Sequence, residues 1–281
     1  MTEKEKPQFT LPLPGLGGAL FRRLVVGRGY LDDLRLVAYL RSTPPALLHG
    51  RPTTLLRLAA CDPDANGCQI RPGAILVSGE YLFDEDRVRL EGSYGCPVLN
   101  AYTSVEGGLI GLECPLEHTL HVPPGRVLEV AQEDGDIHET GFGEIVLTNL
   151  VNWATIFIRY RTGDRGTVVD GVCGCGYTGQ SIVAFQGREV TKFWVNGRFV
   201  AASALGACIA GTGVREYQLA QERGGFGLRW RPQPNDDPPA VEQALRSALQ
   251  QHLDATAIQI TAVDRLVPSG GKAWRFRNLE P

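Results

Sequence analysis

The chain has 281 residues, 43% hydrophobic and 21% charged, enough to bury a sizeable core without disulfide staples. Its 28 basic and 31 acidic residues leave a net charge of −3, which excludes a global basic attraction to nucleic acid or to an anionic membrane. No apolar run approaches the ~18 residues of a membrane span, and Met1-Thr2-Glu3-Lys4-Glu5-Lys6 lacks a signal-peptide pattern, so the expected location is the cytoplasm.

In chain order, residues 1–30 are rich in Pro and Gly and suggest no self-contained unit. Leu34, Val37, Ala38 and Leu40 recur at helical spacing over 31–43, and Thr43-Pro44-Pro45 stops that helix. Ala46-Leu47-Leu48 reads as a short buried strand. A helix follows from Pro52 through Ala60, with Thr53 or Thr54 placed to cap it. Ala74-Ile75-Leu76-Val77 is an apolar strand, 84–93 a helix, and Pro97 to Asn100 a further strand. Strand alternating with helix predicts a parallel α/β sheet. After residue 110 the segments 126–131, 143–149, 155–160 and 166–169 read as short strands between Gly, Asp and Asn turns, a small β-barrel or sandwich. From Gly187 onward a strand-like stretch (192–200), a helix (201–210), paired strands (214–221 and 226–231), a helix (238–253) and a last strand (257–263) predict a small α+β unit. The fold class is thus α/β: a partial parallel α/β large domain over 1–110, a β-rich subdomain over 111–186, and an α+β domain over 187–281.

Three segments carry polar residues that packing does not require. Asn100 to Gly108 follows a parallel strand, at the end of such a sheet where ligands bind, and Glu106 before two glycines offers a carboxylate to a hard cation. Arg159-Tyr160-Arg161-Thr162-Gly163-Asp164 ends a strand with a carboxylate suited to a ribose diol. Pro268-Ser269-Gly270-Gly271-Lys272 sets a mobile positive charge on a glycine loop, suited to phosphate or carboxylate. Taken singly, each is also ordinary turn or surface chemistry.

Their order and spacing resemble the adenylate-forming, AMP-forming acyl-CoA ligase superfamily, and within it the phenylacetate–coenzyme A ligase branch. The resemblance rests on Tyr102-Thr103-Ser104-Val105-Glu106, on Gly143-Glu144-Ile145-Val146-Leu147-Thr148-Asn149-Leu150, on Arg159 to Asp164, on the hinge Gly187-Arg188 and on Gly271-Lys272, and it runs from about residue 45 to the C-terminus. It implies that Tyr102 stacks near adenine, Glu106 binds Mg²⁺, Asp164 holds the ribose hydroxyls, Arg188 contacts the nucleotide and Lys272 bridges the carboxylate substrate and the α-phosphate. It implies ATP-dependent formation of an acyl-AMP, then transfer to a thiol such as CoA, with the C-terminal domain acting as a lid that swings between the steps.

Several features depart from the family pattern. Family members are longer at the N-terminus and carry there a Ser/Thr/Gly-rich phosphate loop. Gly15-Leu16-Gly17-Gly18 has no hydroxyl, and Gly211-Thr212-Gly213 lies in the wrong domain. Thr103 stands for Gly and Val105 for Thr, so position 105 has no hydroxyl to offer. The expectation is a truncated member whose isolated chain is weak or inactive. The alternatives are a non-catalytic nucleotide-binding or scaffold protein of the same origin, or a fragment. Apolar surface on residues 1–110 is expected to be covered by a second copy, a partner chain or the N-terminal 30 residues.

Beside these motifs, Cys114, His118, His121, Cys173 and Cys175 offer three thiolates and an imidazole, a set suited to structural Zn²⁺. The pattern also occurs in the branch named above, where His121 fits better than His118. Gly174 and Gly176 are expected to let the backbone turn both sulfurs to one ion.

Overall fold

The structure, a computed structural model, describes residues 8–12, 20–24, 34–61, 68–188, 192–222, 225–233, 235–253, 258–266 and 275–278. The short strands β1 (Gln8–Pro12) and β2 (Leu20–Leu24) pair with each other. They precede α1 (Leu34–Ser42), β3 (Leu47–Gly50), α2 (Pro52–Ala60), β4 (Ala74–Ser78), α3 (Asp84–Tyr94) and β5 (Val98–Ser104). Strands β3, β4 and β5 are parallel neighbours, as the alternation predicts. Ile75 and Val77 of β4 are fully buried against Leu55 and Leu58 of α2 and Leu90 and Tyr94 of α3. The Tyr94 hydroxyl escapes an orphaned burial by donating to the Leu55 carbonyl at 2.7 Å. Two expectations change here. Strand β3 is the exposed edge of the sheet, with Leu47 49% exposed, not a buried strand. Helix α2 has Pro52 in its first turn and Arg51 as an N-cap without a side-chain bond. The Thr53 hydroxyl instead donates to Glu80 Oε2 at 2.6 Å, across the sheet end.

The sheet then turns antiparallel and continues through β6 (Gly108–Glu113), β7 (Leu120–His121), β8 (Arg126–Ala131), β9 (Ile137–His138), β10 (Gly141–Asn149), β11 (Phe157–Val172) and β12 (Thr178–Ile182). Its order is β3-β4-β5-β6-β7-β12-β11-β10-β8-β9, with β13 (Gly187–Arg188) added on β11. Among the described residues no closed barrel forms. The expected barrel is a continuation of the α/β sheet, because β6 and β7 carry the hydrogen-bond ladder across from β5 to β12.

The predicted strands 155–160 and 166–169 are one strand of 16 residues. Its register against β10 slips twice, opposite Glu144/Val146 and opposite Leu147/Asn149. The slips coincide with positive φ at Gly163 (75°) and Arg159 (49°). The motif 159–164 therefore lies inside a doubly bulged strand rather than at a strand end.

The C-terminal part holds the hairpin β14 (Lys192–Val195) and β15 (Arg198–Ala201), then α4 (Ala202–Gly211), β16 (Tyr217–Glu222), β17 (Gly225–Trp230), α5 (Pro238–Leu253), β18 (Ile258–Ala262) and β19 (Phe276–Asn278). Sheet order is β18-β17-β16-β19, the outer strands being parallel to their neighbours. Leu245, Leu249 and Leu253 of α5, spaced at i, i+4 and i+8, are completely buried on this sheet with Leu219, Leu228 and Trp230. Phe83, just before α3, belongs to the same cluster, so the large sheet's helix layer and the C-terminal part share a core.

An ion pair seals that contact. Arg275 donates to Asp86 of α3 at 2.5 Å, with side-chain exposures of 10% and 1%. Its guanidinium also lies over the rings of Phe83 (5.3 Å) and Tyr217 (5.2 Å). Among the described residues, no helix is long and apolar enough to cross a membrane. In the described part of 1–110 the exposed large apolar side chains are Leu47, Val88 and Val105. A larger group (Leu150, Val151, Trp153, Ile156 and Ile158) lies where β10 passes into β11.

Removing one member of a buried pair strands the other charge, at about 3–5 kcal/mol. Arg275→Met is expected to lower the urea unfolding free energy by about that much. Asp86→Leu combined with Arg275→Met is expected to recover most of the loss, and a double-mutant cycle measures the coupling.

Candidate functional site

The two carboxylates singled out in the sequence stand on adjacent walls. Tyr102 of β5 is buried, and its hydroxyl donates to Asp164 Oδ2 at 2.7 Å. The Tyr160 hydroxyl donates to Glu106 Oε1 at 3.1 Å. Strand β11 thus faces the turn that joins β5 to β6.

Local chemistry explains why each segment adopts this shape. The Gly107 N–H donates to Ser104 Oγ at 2.9 Å, and the buried Asn149 amide donates from Nδ2 to the Glu106 carbonyl at 2.9 Å. A Cβ on Gly107 would lie 2.5 Å from Ile110 and 2.7 Å from Leu147, so only glycine lets the turn sit so low on the core. On β11, the groups freed by the bulges find side-chain partners on β10. The Gly163 N–H donates to Glu144 Oε1 (3.1 Å), and the Arg159 N–H to Thr148 Oγ1 (3.0 Å). The Asp164 N–H donates to Thr162 Oγ1 (3.1 Å), whose hydroxyl donates to the Ile145 carbonyl (2.8 Å). Arg159 and Arg161 point to Glu129 and Glu144, so both arginines of the motif are engaged in surface ion pairs.

An aromatic wall flanks Asp164. The Tyr102 ring lies 4.5 Å from Phe185, and Phe185 lies 6.2 Å from Tyr81 in a near-parallel stack. Tyr81 follows β4 and donates from its hydroxyl to the Phe185 carbonyl at 3.4 Å. Burial, helped by Asp84 and Glu85, raises the Tyr81 phenol above its usual range and keeps it a neutral donor. Tyr81, Phe185, Tyr160 and Asn149 escaped sequence reasoning. The last two lie inside quoted motifs, but no periodicity marks Tyr81 or Phe185 as neighbours of Tyr102.

Arg188 lies in β13 with its backbone paired to Asp164, which puts the hinge beside the carboxylate. Its side chain is not among the described groups. The loop 268–272, with Lys272, lies outside the described residues, as do Gly15 to Gly18.

The second site is a sulfur-rich cluster. Cys114 follows β6, His121 lies in β7, and Cys173 and Cys175 lie in the turn from β11 to β12. Their ligand atoms all fall within 4.8 Å of one another. Cys114 and Cys173 sulfurs are 3.8 Å apart, and Cys175 Sγ lies 3.9 Å from His121 Nε2. Two sulfurs bound at ~2.3 Å in a tetrahedron would be about 3.8 Å apart, so this donor set fits a tetrahedral ion. The His121 ring is held by stacking on Tyr177 at 4.2 Å. His118 is excluded from the set: its Nδ1 lies 2.8 Å from the buried Glu113 carboxylate. Burial opposes the Cys114 thiolate. The backbone N–H groups of Glu117 and Leu116 and the nearby thiols outweigh it and bring Cys114 below the ordinary thiol range. Gly176, with φ of 91°, makes the sharp turn as expected. Gly174 serves differently: a Cβ there would collide with Glu117, whose carboxylate accepts the Gly174 N–H at 2.8 Å.

Gly107→Ala is expected to destabilise the protein by about 1–3 kcal/mol, as overpacking does in a filled core. Chemical denaturation reads the loss, and crystals of the variant are expected to show the Glu106 carboxylate displaced.

No family model matches the chain. A stretch of 147 residues, 50% of the chain, is 30% identical to protein CapK of Staphylococcus aureus and covers 31% of it. Among solved structures, 2-hydroxyisobutyryl-CoA ligase in a postadenylation state with R3-HIB-AMP is similar over 90% of this chain and 58% of its own, at 19% identity and a TM-score of 0.68. The anthranilate CoA ligase AuaEII with anthranoyl-AMP is similar over 90% and 52%, at 15% identity and 0.62. A benzoate CoA ligase from Burkholderia xenovorans LB400 is similar over 88% and 53%, at 19% and 0.57. The chain spans between 52% and 58% of these ligases and about a third of the curated relative. Over nine-tenths of its length, this chain has the fold of the AMP-forming, adenylate-forming acyl- and aryl-CoA ligases.

Proposed function

We propose that the chain supplies the AMP-binding wall and the C-terminal lid of an adenylate-forming carboxylate–CoA ligase of the phenylacetate–CoA ligase type. The observation that supports this most is the joining of Tyr102 to Asp164 and of Glu106 to Tyr160, which brings two distant motifs to one place. In this reading the apolar face of Tyr102, backed by Phe185, receives the adenine. Asp164 accepts the ribose hydroxyls, and Arg188, whose backbone pairs with that of Asp164, contacts the nucleotide. Glu106, an oxygen donor on a rigid turn, would hold Mg²⁺, which when bound supplies charge neutralisation at the phosphates. Lys272 bridges the carboxylate and the α-phosphate, favouring the charge that develops there. The substrate is a small aryl or acyl acid, the acceptor CoA or another thiol, and the setting the cytoplasm.

The Cys114–His121–Cys173–Cys175 cluster is proposed to hold Zn²⁺. Four protein ligands close the coordination sphere, so the ion would be structural and would clip the β11–β12 turn to β6 and β7. Purified protein is expected to contain about one zinc per chain, as for a single four-ligand site. Cys175→Ser is expected to release it and lower the thermal midpoint. Metal analysis and differential scanning calorimetry check both.

A second reading, a nucleotide-binding protein without turnover, is favoured by Val105. That side chain is 96% exposed on the Glu106 turn and has no hydroxyl for a phosphate or a cation. Calorimetric titration and carboxylate-dependent pyrophosphate release across a panel of aryl and acyl acids separate the two. This 281-residue chain is expected to bind AMP no worse than ATP and to release pyrophosphate very slowly. Asp164→Ala is expected to abolish AMP binding. Lys272→Ala is expected to change AMP binding little and to remove residual turnover. Fast release that depends on Lys272 would establish a complete ligase, and AMP binding without any release would favour the second reading.

A further inference from the structure

The two tyrosine–carboxylate hydrogen bonds cross. Tyr102 precedes Glu106 by four residues, and Tyr160 precedes Asp164 by four. Each tyrosine donates to the other segment's carboxylate: Tyr102 to Asp164 at 2.7 Å, Tyr160 to Glu106 at 3.1 Å. Each ring is fixed from behind, Tyr102 by Phe185 and Tyr160 by Phe157 in an edge-on contact at 5.4 Å. Both carboxylate residues are also held at the main chain, Glu106 through its carbonyl by Asn149 and Asp164 through its N–H by Thr162.

We propose that Tyr102 and Tyr160 form a reciprocal clasp, in which each motif's tyrosine orients the other motif's carboxylate, Asp164 toward ribose hydroxyls and Glu106 toward a divalent cation. The proposal rests on the reading of Asp164 and Glu106 given above. A carboxylate has about four lone-pair directions, and a phenol that takes one of them fixes the plane of the group. A neutral donor does this without cancelling the negative charge that a ribose diol or a cation needs. A lysine or arginine in its place would pair with the carboxylate and compete with the ligand. The crossing also ties the two motif segments together at two points, so neither carboxylate moves without the other segment. Tyr160 is in this sense a positioning residue, and Tyr102 gains that role beside its ring contact.

The test removes each hydroxyl and keeps each ring. In protein with ¹³C-labelled carboxyl groups, Tyr160→Phe is expected to move the Glu106 resonance and leave that of Asp164 in place. Tyr102→Phe is expected to do the reverse. Mn²⁺ titration, followed by electron paramagnetic resonance, is expected to weaken by about tenfold in Tyr160→Phe, and AMP titration by about tenfold in Tyr102→Phe, the loss of one hydrogen bond to a charged acceptor. Each variant is expected to leave the other ligand within about twofold, and far-UV circular dichroism to match the parent. Resonances that do not move, or a tyrosine that perturbs its own segment's carboxylate, would overturn the clasp while leaving the ligand assignments intact. Crossed resonance shifts in a protein that binds neither AMP nor Mn²⁺ would support the clasp and overturn the ligand roles on which it is read.

Discussion

Strand β11 has to stay hydrogen-bonded to β10 while turning its side chains out of register twice, and much of the site follows from how it manages this. A bulge frees backbone groups that must find partners. Here β10 supplies them: Glu144 for Gly163 and Thr148 for Arg159. The Gly143–Leu150 and Arg159–Asp164 motifs are therefore complementary halves of one structural device. Between the bulges Tyr160 reaches Glu106, and just beyond the second bulge Asp164 meets Tyr102. The same strand ends at the turn that holds Cys173 and Cys175, so both candidate sites hang from a single element.

The cysteine cluster and the proposed nucleotide wall also belong to one continuous sheet. His121 lies opposite Ser181 and Leu112, at the place where β7 bridges the β6 and β12 ladders. That bridge is two residues long. A metal clip across it would stiffen the junction between the parallel and antiparallel parts of the sheet. The buried carboxylate of Glu113, which accepts from Arg87 at 2.6 Å and meets His118, strengthens the same junction from the helix side.

The C-terminal part is fastened to the parallel layer by charge and aromatic packing together. Asp86 and Arg275 are both deeply buried, and the Arg275 guanidinium lies over the rings of Phe83 and Tyr217. Such a pair contributes little when intact relative to apolar packing and costs much when broken. Arg275 stands three residues after Lys272, and the contact is thus made by the same end of the chain that carries the candidate catalytic lysine.

Local patterning was sufficient for much of the architecture. The apolar runs at Ala74–Val77, the helical spacing of Leu245 and Leu249, and the Cys-Gly-Cys turn can be read without a structure, because helix and strand periods and ligand spacing are properties of short stretches. The motif order likewise marked Asp164, Glu106 and Tyr102. Other features depended on contacts between residues far apart in sequence. His121 was already favoured over His118 by the resemblance, and the contact between His118 and Glu113 was visible only in the structure. The merging of two expected strands into one depended on bulge partners from β10, and the continuation of the sheet in place of a closed barrel depended on the short β7 bridge. The role of Thr53 turned on Glu80, 27 residues away, and the crossing of Tyr102 and Tyr160 on segments about 60 residues apart. The sequence by itself marked the helices, many of the strands and the candidate site residues. Only the tertiary structure decided which hydroxyl meets which carboxylate, because a hydrogen bond is set by distance and direction in space and leaves no period along the chain.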